Sequence, residues 1–434
     1  MIDTIAAIAT AAGIGGVGIV RISGPRAIAI ACEVLGVSEL GREVRVGWAH
    51  GQGGEQIDQV LAFAMRAPRS FTGEDVAELH GHGGPENLAR LLESVVARGA
   101  RVAEPGEFTR RAVSNGKLDL VRAEALLQVI HAGGERAWRL AQANLGGRLG
   151  QAAEVLERRV LGVLAEIEGR IDFPEEGIAD EDAGAIAREI DEVRSACARL
   201  ADGFRHARAV GQGIAVALVG PVNAGKSSLL NALVGKERAL VAPQPGTTRD
   251  YLEVHDVWGG VAVTIVDTAG TRETADAIEA RGIQLGEERV TSADVVVVVN
   301  DGTAAWEDGA RYPGRALVVR SKADLGGDTH GALATSATTG QGLDELRQRV
   351  LQLAGVAERE GSEEAFVTTA RQHAACAGAR DALTAALVAW RGSSVPEVVA
   401  LELRQAAQAL AQLRGIEVGD RVLDEVFARF CIGK

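Results

Sequence analysis

Hydrophobic and polar positions follow three different patterns along this 434-residue chain. Residues 1–117 mix short β-like runs, at 17–22 and 60–65, with glycine turns and a helical stretch at 86–98, which predicts an α+β domain. Apolar residues then recur at helical spacing over 118–210, and this spacing returns over 356–434. Between these segments, residues 211–355 alternate strands with helices. Because helical segments flank this α/β domain, the simplest architecture inserts it into a helical domain.

Length and composition agree with a multidomain globular protein. A chain of 434 residues can form two or three domains, each with its own core. No apolar run is long enough to span a bilayer, and the first residues lack the basic segment of a signal peptide. Four scattered cysteines fit neither a disulfide framework nor a zinc site. We therefore expect a cytoplasmic protein without a membrane anchor.

The charge balance does not favour a general nucleic-acid binder. The 46 basic and 59 acidic residues give a net charge of −13, and aromatic residues make up only 3%. A local basic patch remains, formed by Arg110, Arg111, Lys117 and Arg122. The alternative is that these side chains form a solvated helix face.

The run 220–227, Gly-Pro-Val-Asn-Ala-Gly-Lys-Ser, is typical of a phosphate-binding loop. It lies between an apolar strand predicted at 214–219 and a helix predicted from Ser228. The glycines let the backbone curl, so that its N–H groups point at phosphate oxygens. Lys226 can reach the β and γ phosphates, and the Ser227 hydroxyl can bind Mg²⁺. A chance glycine-rich turn is the alternative, but it would not explain the order of strand, loop and helix.

Further nucleotide motifs follow in a fixed order. In the run 246–250, a threonine can complete Mg²⁺ coordination and sense the γ-phosphate. Asp267 follows the apolar run 261–266 and can hold Mg²⁺ through water. The Gly270 N–H can contact the γ-phosphate.

The last motifs indicate which nucleotide base is bound. Apolar strands predicted at 295–299 and 317–319 lead to the run 321–324, Ser-Lys-Ala-Asp. The Asp324 carboxylate can accept hydrogen bonds from guanine N1 and N2, and adenine has no matching donors. The loop at Ser336 and Ala337 can support the base. The predicted GTP-binding residues are Asn223, Ala224, Gly225, Lys226, Ser227, Ser228, Ala242, Gln244, Gly246, Thr247, Thr248, Asp267, Thr268, Ala269, Gly270, Ser321, Lys322, Asp324, Ser336, Ala337 and Thr338.

Two positions depart from the common GTPase pattern. Ser321 stands where asparagine is usual, so we expect guanine specificity to survive with weaker affinity, because the amide that braces the phosphate loop is lost. Thr271 stands where many GTPases have a water-orienting glutamine. Asn223 offers another way to neutralise the transition state, since its side-chain oxygen and nearby carbonyls could hold a monovalent cation.

Longer motifs resemble the MnmE (TrmE) family of tRNA modification GTPases. They are the runs 3–10 and 15–24 (DTIAAIAT and GGVGIVRISG), 71–75, 80–84, 105–112, 115–120, 171–176 and the C-terminal 430–434 (FCIGK). This resemblance extends from end to end. It implies an N-terminal α+β domain (1–117) that binds tetrahydrofolate and dimerises, a helical domain (118–210 with 356–434), and an inserted Ras-like P-loop GTPase domain (211–355).

The resemblance also implies an activity. Members act with a flavoprotein, MnmG (GidA), in a heterotetramer that builds a carboxymethylaminomethyl-type group on C5 of the tRNA wobble uridine. 5-Formyl-tetrahydrofolate or another tetrahydrofolate derivative supplies the one-carbon unit, and GTP hydrolysis opens and closes paired G domains. By position, Arg21, Glu78, Lys117 and Lys434 match the family's folate contacts. A free tail charge is the alternative for Lys434, and a solvated carboxylate is the alternative for Glu78.

The same resemblance assigns the ions and the hydrolytic water. K⁺ is assigned to Asn223 and Thr247 with the carbonyls of Ala242 and Gln244, Mg²⁺ to Ser227 and Thr248, and the catalytic roles to Glu279, Asn223 and Lys226. Glu279 rests on the resemblance alone. Cys431 is not assigned a catalytic role, because no neighbouring base or helix N-terminus in the sequence would activate its thiol.

Two other functions remain open at this point. A ribosome-assembly or signalling GTPase would need no folate site. A self-contained one-carbon transferase would modify tRNA without a flavoprotein. The chain has no dinucleotide-binding fingerprint, so any redox chemistry would come from a partner.

Overall fold

A computed structural model describes residues 3–172, 180–234, 253–267, 288–302, 306–356, 365–392, 395–416 and 418–434. Over these residues the chain forms two compact units. The first combines residues 1–127 with 411–434, and the second spans 128–410. The division of the chain into three domains stays a prediction, because these units do not test its boundaries.

The first unit is built on a six-stranded sheet of order β3-β4-β5-β2-β1-β6. Neighbouring strands are antiparallel except for β1 and β6, which are parallel. The strands are β1 (Ile5–Ile8), β2 (Gly15–Ser23), β3 (Arg45–His50), β4 (Gln56–Met65), β5 (Val76–Gly83) and β6 (Arg101–Val102). The runs predicted at 17–22 and 60–65 lie within β2 and β4, so these two strand predictions are confirmed.

Four helices accompany this sheet: α1 (Ala27–Leu35), α2 (Pro85–Val96), α3 (Glu107–Ser114) and α4 (Leu120–His131). Alternate residues of β2, β4 and β5 pack with α1 and α2 in one buried core, which includes Val20, Val60, Leu79 and Leu91. Strands and helices sharing one core give the α+β arrangement that the sequence predicts.

The C-terminal segment belongs to this first unit. After α13 (Asp420–Phe427), the rings of Phe427 and Phe430 pack with Leu120 and Ala123. Gly433 has a φ of +95°, and a Cβ there would collide with the carbonyl of Ile8 in β1. The glycine therefore allows the end of the chain to lie against the sheet.

The second unit contains a helical bundle whose helices come from both sides of an α/β domain. The bundle helices are α6 (Arg148–Asp172), α7 (Asp180–Asp202), α11 (Ala370–Arg391) and α12 (Pro396–Arg414). Two shorter helices, α5 (Glu135–Leu145) and α8 (Phe204–Gln212), contribute Leu140, Ala207 and Val210 to the core of the α/β domain. Val160, Ile190, Leu383 and Leu403 share one buried core. Because α6 and α7 precede the α/β domain and α11 and α12 follow it, the predicted insertion is confirmed.

The inserted domain has a six-stranded sheet of order β12-β11-β10-β7-β9-β8. All neighbours are parallel except β8, which is antiparallel to β9. Its elements are β7 (Ile214–Val219), α9 (Lys226–Val234), β8 (Glu253–Trp258), β9 (Val261–Asp267), β10 (Val295–Asn300), β11 (Ala316–Arg320), a short 3₁₀ helix (Ala323–Leu325), β12 (Leu333–Ala334) and α10 (Leu343–Leu353). The central strands are nearly all apolar because both faces of a parallel sheet are covered.

None of the helices in the described part of the chain combines the length and the apolar character needed to cross a membrane.

Candidate active site

The phosphate-binding loop has the backbone that its sequence predicts. It leaves β7 at Val219 and enters α9 at Lys226. Three of its residues adopt a left-handed backbone, with φ of +140° at Gly220, +64° at Asn223 and +90° at Gly225. A Cβ on Gly220 would collide with the carbonyl of Val299. The predicted strand, loop and helix are therefore confirmed, and the first glycine is required by a close approach to β10.

The side chain of Lys226 is buried and turns back onto the loop. Its Nζ donates hydrogen bonds to the carbonyls of Gly220 and Pro221, both at 2.7 Å. Burial lowers the pKa of this ammonium, while the negative charge of Asp267 opposes that shift. The loop thus holds its lysine inside the turn, where it can meet a phosphate group.

Ser227 and Asp267 come together at the amino end of α9. The Ser227 hydroxyl donates to Oδ2 of Asp267 at 2.8 Å. Asp267 is fully buried at the carboxyl end of β9, next to β7 in the sheet. One hydroxyl and one carboxylate are oxygen ligands of the kind that Mg²⁺ prefers, so this pair fits a magnesium site.

Ser321 makes a contact that its sequence did not predict. Its buried hydroxyl lies 2.6 Å from the carbonyl of Ala224 and 3.1 Å from that of Asn300. The first carbonyl belongs to the phosphate loop. The serine therefore braces this loop directly, a role that the sequence argument reserved for the missing amide.

Lys322 also connects the 321–324 motif to the phosphate-binding loop. Its Nζ donates to the carbonyl of Asn223 and to Oδ2 of Asp301, both at 2.7 Å. The side chain of Asn223 is exposed at the loop surface. The predicted base-binding motif is thus hydrogen-bonded to the predicted phosphate-binding loop.

Asp324 lies exposed in the short 3₁₀ helix. Its Oδ1 accepts a hydrogen bond from the Ser336 hydroxyl at 2.5 Å. The Ala323 N–H donates to the carbonyl of Thr335 at 3.0 Å, which ties the two base-side loops together. Ala337 is half-buried and Thr338 is exposed just beyond. The structure therefore brings Asp324 and the predicted base-supporting loop to one place.

Nine of the predicted site residues lie outside the described residues, so their assignments stay predictions. They are Ala242, Gln244, Gly246, Thr247, Thr248, Thr268, Ala269, Gly270 and Glu279. Ser228, in the first turn of α9, is exposed.

A second polar cluster lies on the sheet of the first unit. Arg21 in β2 donates from Nε to Oε1 of Glu78 in β5 at 2.8 Å, and its Nη1 lies 3.4 Å from the carbonyl of Gly433. Its guanidinium carbon is 5.9 Å from the ring centre of Phe71 and 5.8 Å from that of Phe108. The arginine thus joins the sheet, two aromatic rings and the C-terminus.

Glu78 stays ionised although it is buried. Burial by itself raises the pKa of this carboxyl group. A hydrogen bond with His80, at 2.8 Å, and the charge and hydrogen bond of Arg21 outweigh that effect and hold the pKa below its ordinary value of 4.5. The cluster therefore presents a buried carboxylate. No nucleotide or folate motif in the sequence marks His80, although its spacing of two from Glu78 in a strand places both on one face.

The other predicted folate contacts lie nearby in the same unit. The exposed Lys117 donates from Nζ to the carbonyl of Pro68 at 3.0 Å, and its stem packs beside Gly73. Lys434 donates its backbone N–H to the carbonyl of Cys431 at 3.3 Å, which keeps the last residues in a turn. Cys431 is exposed.

The candidate basic patch is largely neutralised by acids within the first unit. Arg110 pairs with Asp424 at 2.9 Å, and Arg122 pairs with Asp119 at 3.5 Å. Arg111 bonds the carboxylates of Asp3, Glu74 and Glu107 at 2.6 to 3.2 Å. Arg110 and Arg122, which are 40% and 36% exposed, thus fit the alternative of a solvated helix face, whereas Arg111 is 14% exposed and forms ion pairs within the unit.

The strand order, the phosphate loop after β7, the Ser227–Asp267 pair and the base-side motif define a P-loop GTPase, a GTP hydrolase with a Ras-like domain. Two family descriptions match the chain: "GTP-binding protein TrmE N-terminus" over residues 4–117 and "MnmE helical domain" over residues 120–431. The chain therefore belongs to the MnmE (TrmE) family.

Named relatives match over the whole chain. It is 44% identical to the tRNA modification GTPase MnmE of Synechococcus sp. (strain RCC307), with 100% of this chain and 98% of the relative covered. Identity to the MnmE of Thermus thermophilus is 43%, with 100% and 99% covered. Identity to that of Moorella thermoacetica is 38%, with the same coverage.

Proposed function

We propose that this GTPase is K⁺-dependent and acts with a flavoprotein partner on tRNA. Together they would install a carboxymethylaminomethyl-type group at C5 of the wobble uridine, with a tetrahydrofolate derivative as the one-carbon donor. The observation that carries the proposal is the full-length match to tRNA modification GTPases, which covers both described units and not the GTPase domain alone.

The nucleotide chemistry would be divided among the residues of the inserted domain. Lys226 binds the β and γ phosphates, and Asp324 selects guanine. Ser227 and Thr248 hold Mg²⁺, with Asp267 behind Ser227 at 2.8 Å. Asn223 and Thr247, with the carbonyls of Ala242 and Gln244, hold K⁺, which supplies positive charge where GTP is cleaved. Glu279 orients the attacking water.

The polar cluster of the first unit would bind the folate. The ionised Glu78 suits the N–H donor edge of a pterin, because each carboxylate oxygen can accept more than one hydrogen bond. Arg21 holds Glu78 at 2.8 Å and lies 3.4 Å from the carbonyl of Gly433, and this neighbour of Lys434 supports assigning Lys434 to the same site. Lys117 and Lys434 carry the positive charge that a folate glutamate tail requires. The bound folate would supply the one-carbon unit.

The assembly would be a homodimer that binds the flavoprotein MnmG (GidA), with tRNA as the substrate of the complex. Two copies would pair their G domains as GTP is hydrolysed. The flavoprotein would supply the redox cofactor, because the G-x-G-x-x-G run at 13–18 leads into the strand β2 and not into the helix that a dinucleotide-binding fingerprint requires.

Reconstitution tests this proposal directly. The chain is incubated in KCl and MgCl2 with unmodified tRNA, GTP, glycine, 5-formyl-tetrahydrofolate or another tetrahydrofolate derivative, a reductant and an MnmG-type flavoprotein, and nucleosides are analysed by mass spectrometry. Glycine supplies the nitrogen, two carbons and carboxylate that the one-carbon donor lacks. The modified uridine should appear only with both proteins and a folate, and not with Lys226→Ala. Modification without the flavoprotein would indicate a self-contained transferase. GTP turnover without any modification or folate binding would indicate a ribosome-assembly or signalling GTPase.

A further inference from the structure

The Lys322 ammonium bonds Asp301 as well as the phosphate loop. Lys322 Nζ is 2.7 Å from Asp301 Oδ2 and 2.7 Å from the carbonyl of Asn223. A single ammonium thus joins a carboxylate at the end of β10 to the turn of the phosphate loop. Neither the sequence motifs nor the proposed mechanism gives Asp301 a role.

The hydrogen bond from the Lys322 ammonium to Asn223 joins two residues whose backbone conformations are unusual. Asn223 and Lys322 both have a left-handed backbone, with φ of +64° and +53°. Among the described residues, His330 is the other non-glycine residue with a positive φ. Such conformations persist only where neighbouring contacts hold them. The Lys322 bond to the Asn223 carbonyl is one contact that holds both.

Asp301 is placed so that its charge acts strongly. Its side chain is 4% exposed, while that of Lys322 is 39% exposed. Asp301 directly follows the buried central strand β10, so its carboxylate lies at the carboxyl end of the apolar sheet. Charges attract more strongly when one partner is buried than when both are at the surface, where an ion pair contributes little to stability. The carboxylate therefore limits where the ammonium can lie.

We propose that Asp301 is a positioning residue for nucleotide binding. It holds Lys322 against the carbonyl of Asn223 and so keeps the phosphate loop in the shape that accepts phosphates. The inference rests on the proposed nucleotide site and extends it by one residue. Without the charge of Asp301, the ammonium is free to leave the carbonyl, and the Asn223 turn loses a contact.

The test measures nucleotide affinity with fluorescent GDP and GTP analogues on the full chain. Asp301→Asn keeps the shape of the side chain and removes its charge. Its dissociation constants for both nucleotides should rise about tenfold, the size of one charge-assisted hydrogen bond. Turnover at saturating GTP should stay within about twofold of wild type, so that KM changes and kcat does not. Asp301→Glu should restore much of the affinity.

Asp294→Asn is the matched control. Asp294 precedes the same strand β10 at its opposite end, where Oδ2 accepts a hydrogen bond from the Ala215 N–H at 2.9 Å. This variant should bind nucleotide as wild type does. A double variant, Asp301→Asn with Lys322→Met, should bind no more weakly than Lys322→Met alone, because Asp301 acts through Lys322.

Two results would overturn the inference. One is an Asp301→Asn protein whose affinities equal those of Asp294→Asn. The other is a loss that adds fully to that of Lys322→Met, since Asp301 would then act without the lysine. Neither result touches the proposed tRNA modification, which is read from the wild-type protein in the reconstitution.

Discussion

Ser227 and Asp267 are 40 residues apart in sequence, and their side chains meet at 2.8 Å, Oγ to Oδ2, beside the phosphate-binding loop. A parallel sheet explains the meeting, because Leu218 at the end of β7 is paired with Asp267 at the end of β9. The helix that follows β7 begins one residue before Ser227. Strand β9 and helix α9 thus bring the proposed magnesium ligand Ser227 and the Asp267 carboxylate together.

This relationship predicts the effect of Ser227→Ala. Loss of the hydroxyl would remove the proposed metal ligand, so the Mg²⁺ concentration for half-maximal GTP turnover should rise by at least about tenfold. A Mg²⁺ titration of turnover measures it. The control is Thr264→Val in β9, whose hydroxyl bonds His255 at 3.1 Å. An unchanged Mg²⁺ requirement in Ser227→Ala would contradict the site.

The buried Ser321 hydroxyl predicts a loss of nucleotide affinity in Ser321→Ala. The carbonyl of Ala224 would lose a partner at 2.6 Å, which costs about 1–3 kcal/mol. GDP affinity should fall by about tenfold. Thr335→Val is the control, because the buried Thr335 hydroxyl bonds the carbonyl of Arg320, at 3.2 Å, and not the loop.

Ser321→Asn tests whether serine at this position gives weaker nucleotide binding than asparagine does. An asparagine should raise nucleotide affinity above that of wild type, because its amide can make an additional contact with the loop. Equal affinity in the two proteins would show that the serine costs nothing, and the expectation of weaker binding would be wrong.

The lowered pKa of Glu78 predicts a pH-dependent stability. A carboxyl group whose pKa falls on folding contributes stability above its ordinary pKa of 4.5, and that contribution is lost as pH falls through the folded value. Glu78→Gln should therefore destabilise the first unit by about 1–3 kcal/mol at neutral pH, because Arg21 loses its ionic partner.

Scanning calorimetry at about pH 7 and about pH 3.5 measures this difference. The gap between wild type and Glu78→Gln should shrink at the lower pH, because the unfolded carboxylate takes up its proton near 4.5 and the stabilisation declines as the pH falls from there towards the lower folded pKa. A gap that is the same at both pH values would show that packing, and not charge, sets the effect.

Gly433→Ala should release the C-terminus from the sheet. A Cβ would collide with the carbonyl of Ile8, and the φ of +95° disfavours alanine. We expect faster removal of Lys434 by carboxypeptidase and tetrahydrofolate binding weakened by about tenfold. Gly41→Ala is the control, because its Cβ would meet nothing within 4 Å. Intact folate affinity in Gly433→Ala would remove the C-terminus from the proposed folate site.

Sequence patterns predicted the elements of the inserted domain closely. The run 214–219 coincides with β7, and the run 295–299 lies within β10 (Val295–Asn300). Buried parallel strands are continuous apolar runs, so their limits are visible locally. The glycine and lysine positions of the phosphate loop were equally clear, because that turn needs those residue types.

Contacts between distant residues could not be predicted in the same way. Arg21 and Gly433 are separated by 412 residues, and Asp301 meets Lys322 only because β10 and β11 are neighbours. Spacing along a chain does not show how separate elements pack. The position of Asp301, a carboxylate directly after a strand of five valines and Asn300, was the local signal that could have marked it.

The central claim is that this GTPase uses a potassium ion held at Asn223. GTP turnover is measured in KCl and in NaCl at equal ionic strength, with Mg²⁺ present, for wild type and Asn223→Ala. We predict strong activation of the wild type by K⁺ alone and little activation of the variant. Equal wild-type rates in the two salts would contradict the claim and indicate a GTPase that depends on an external activating protein.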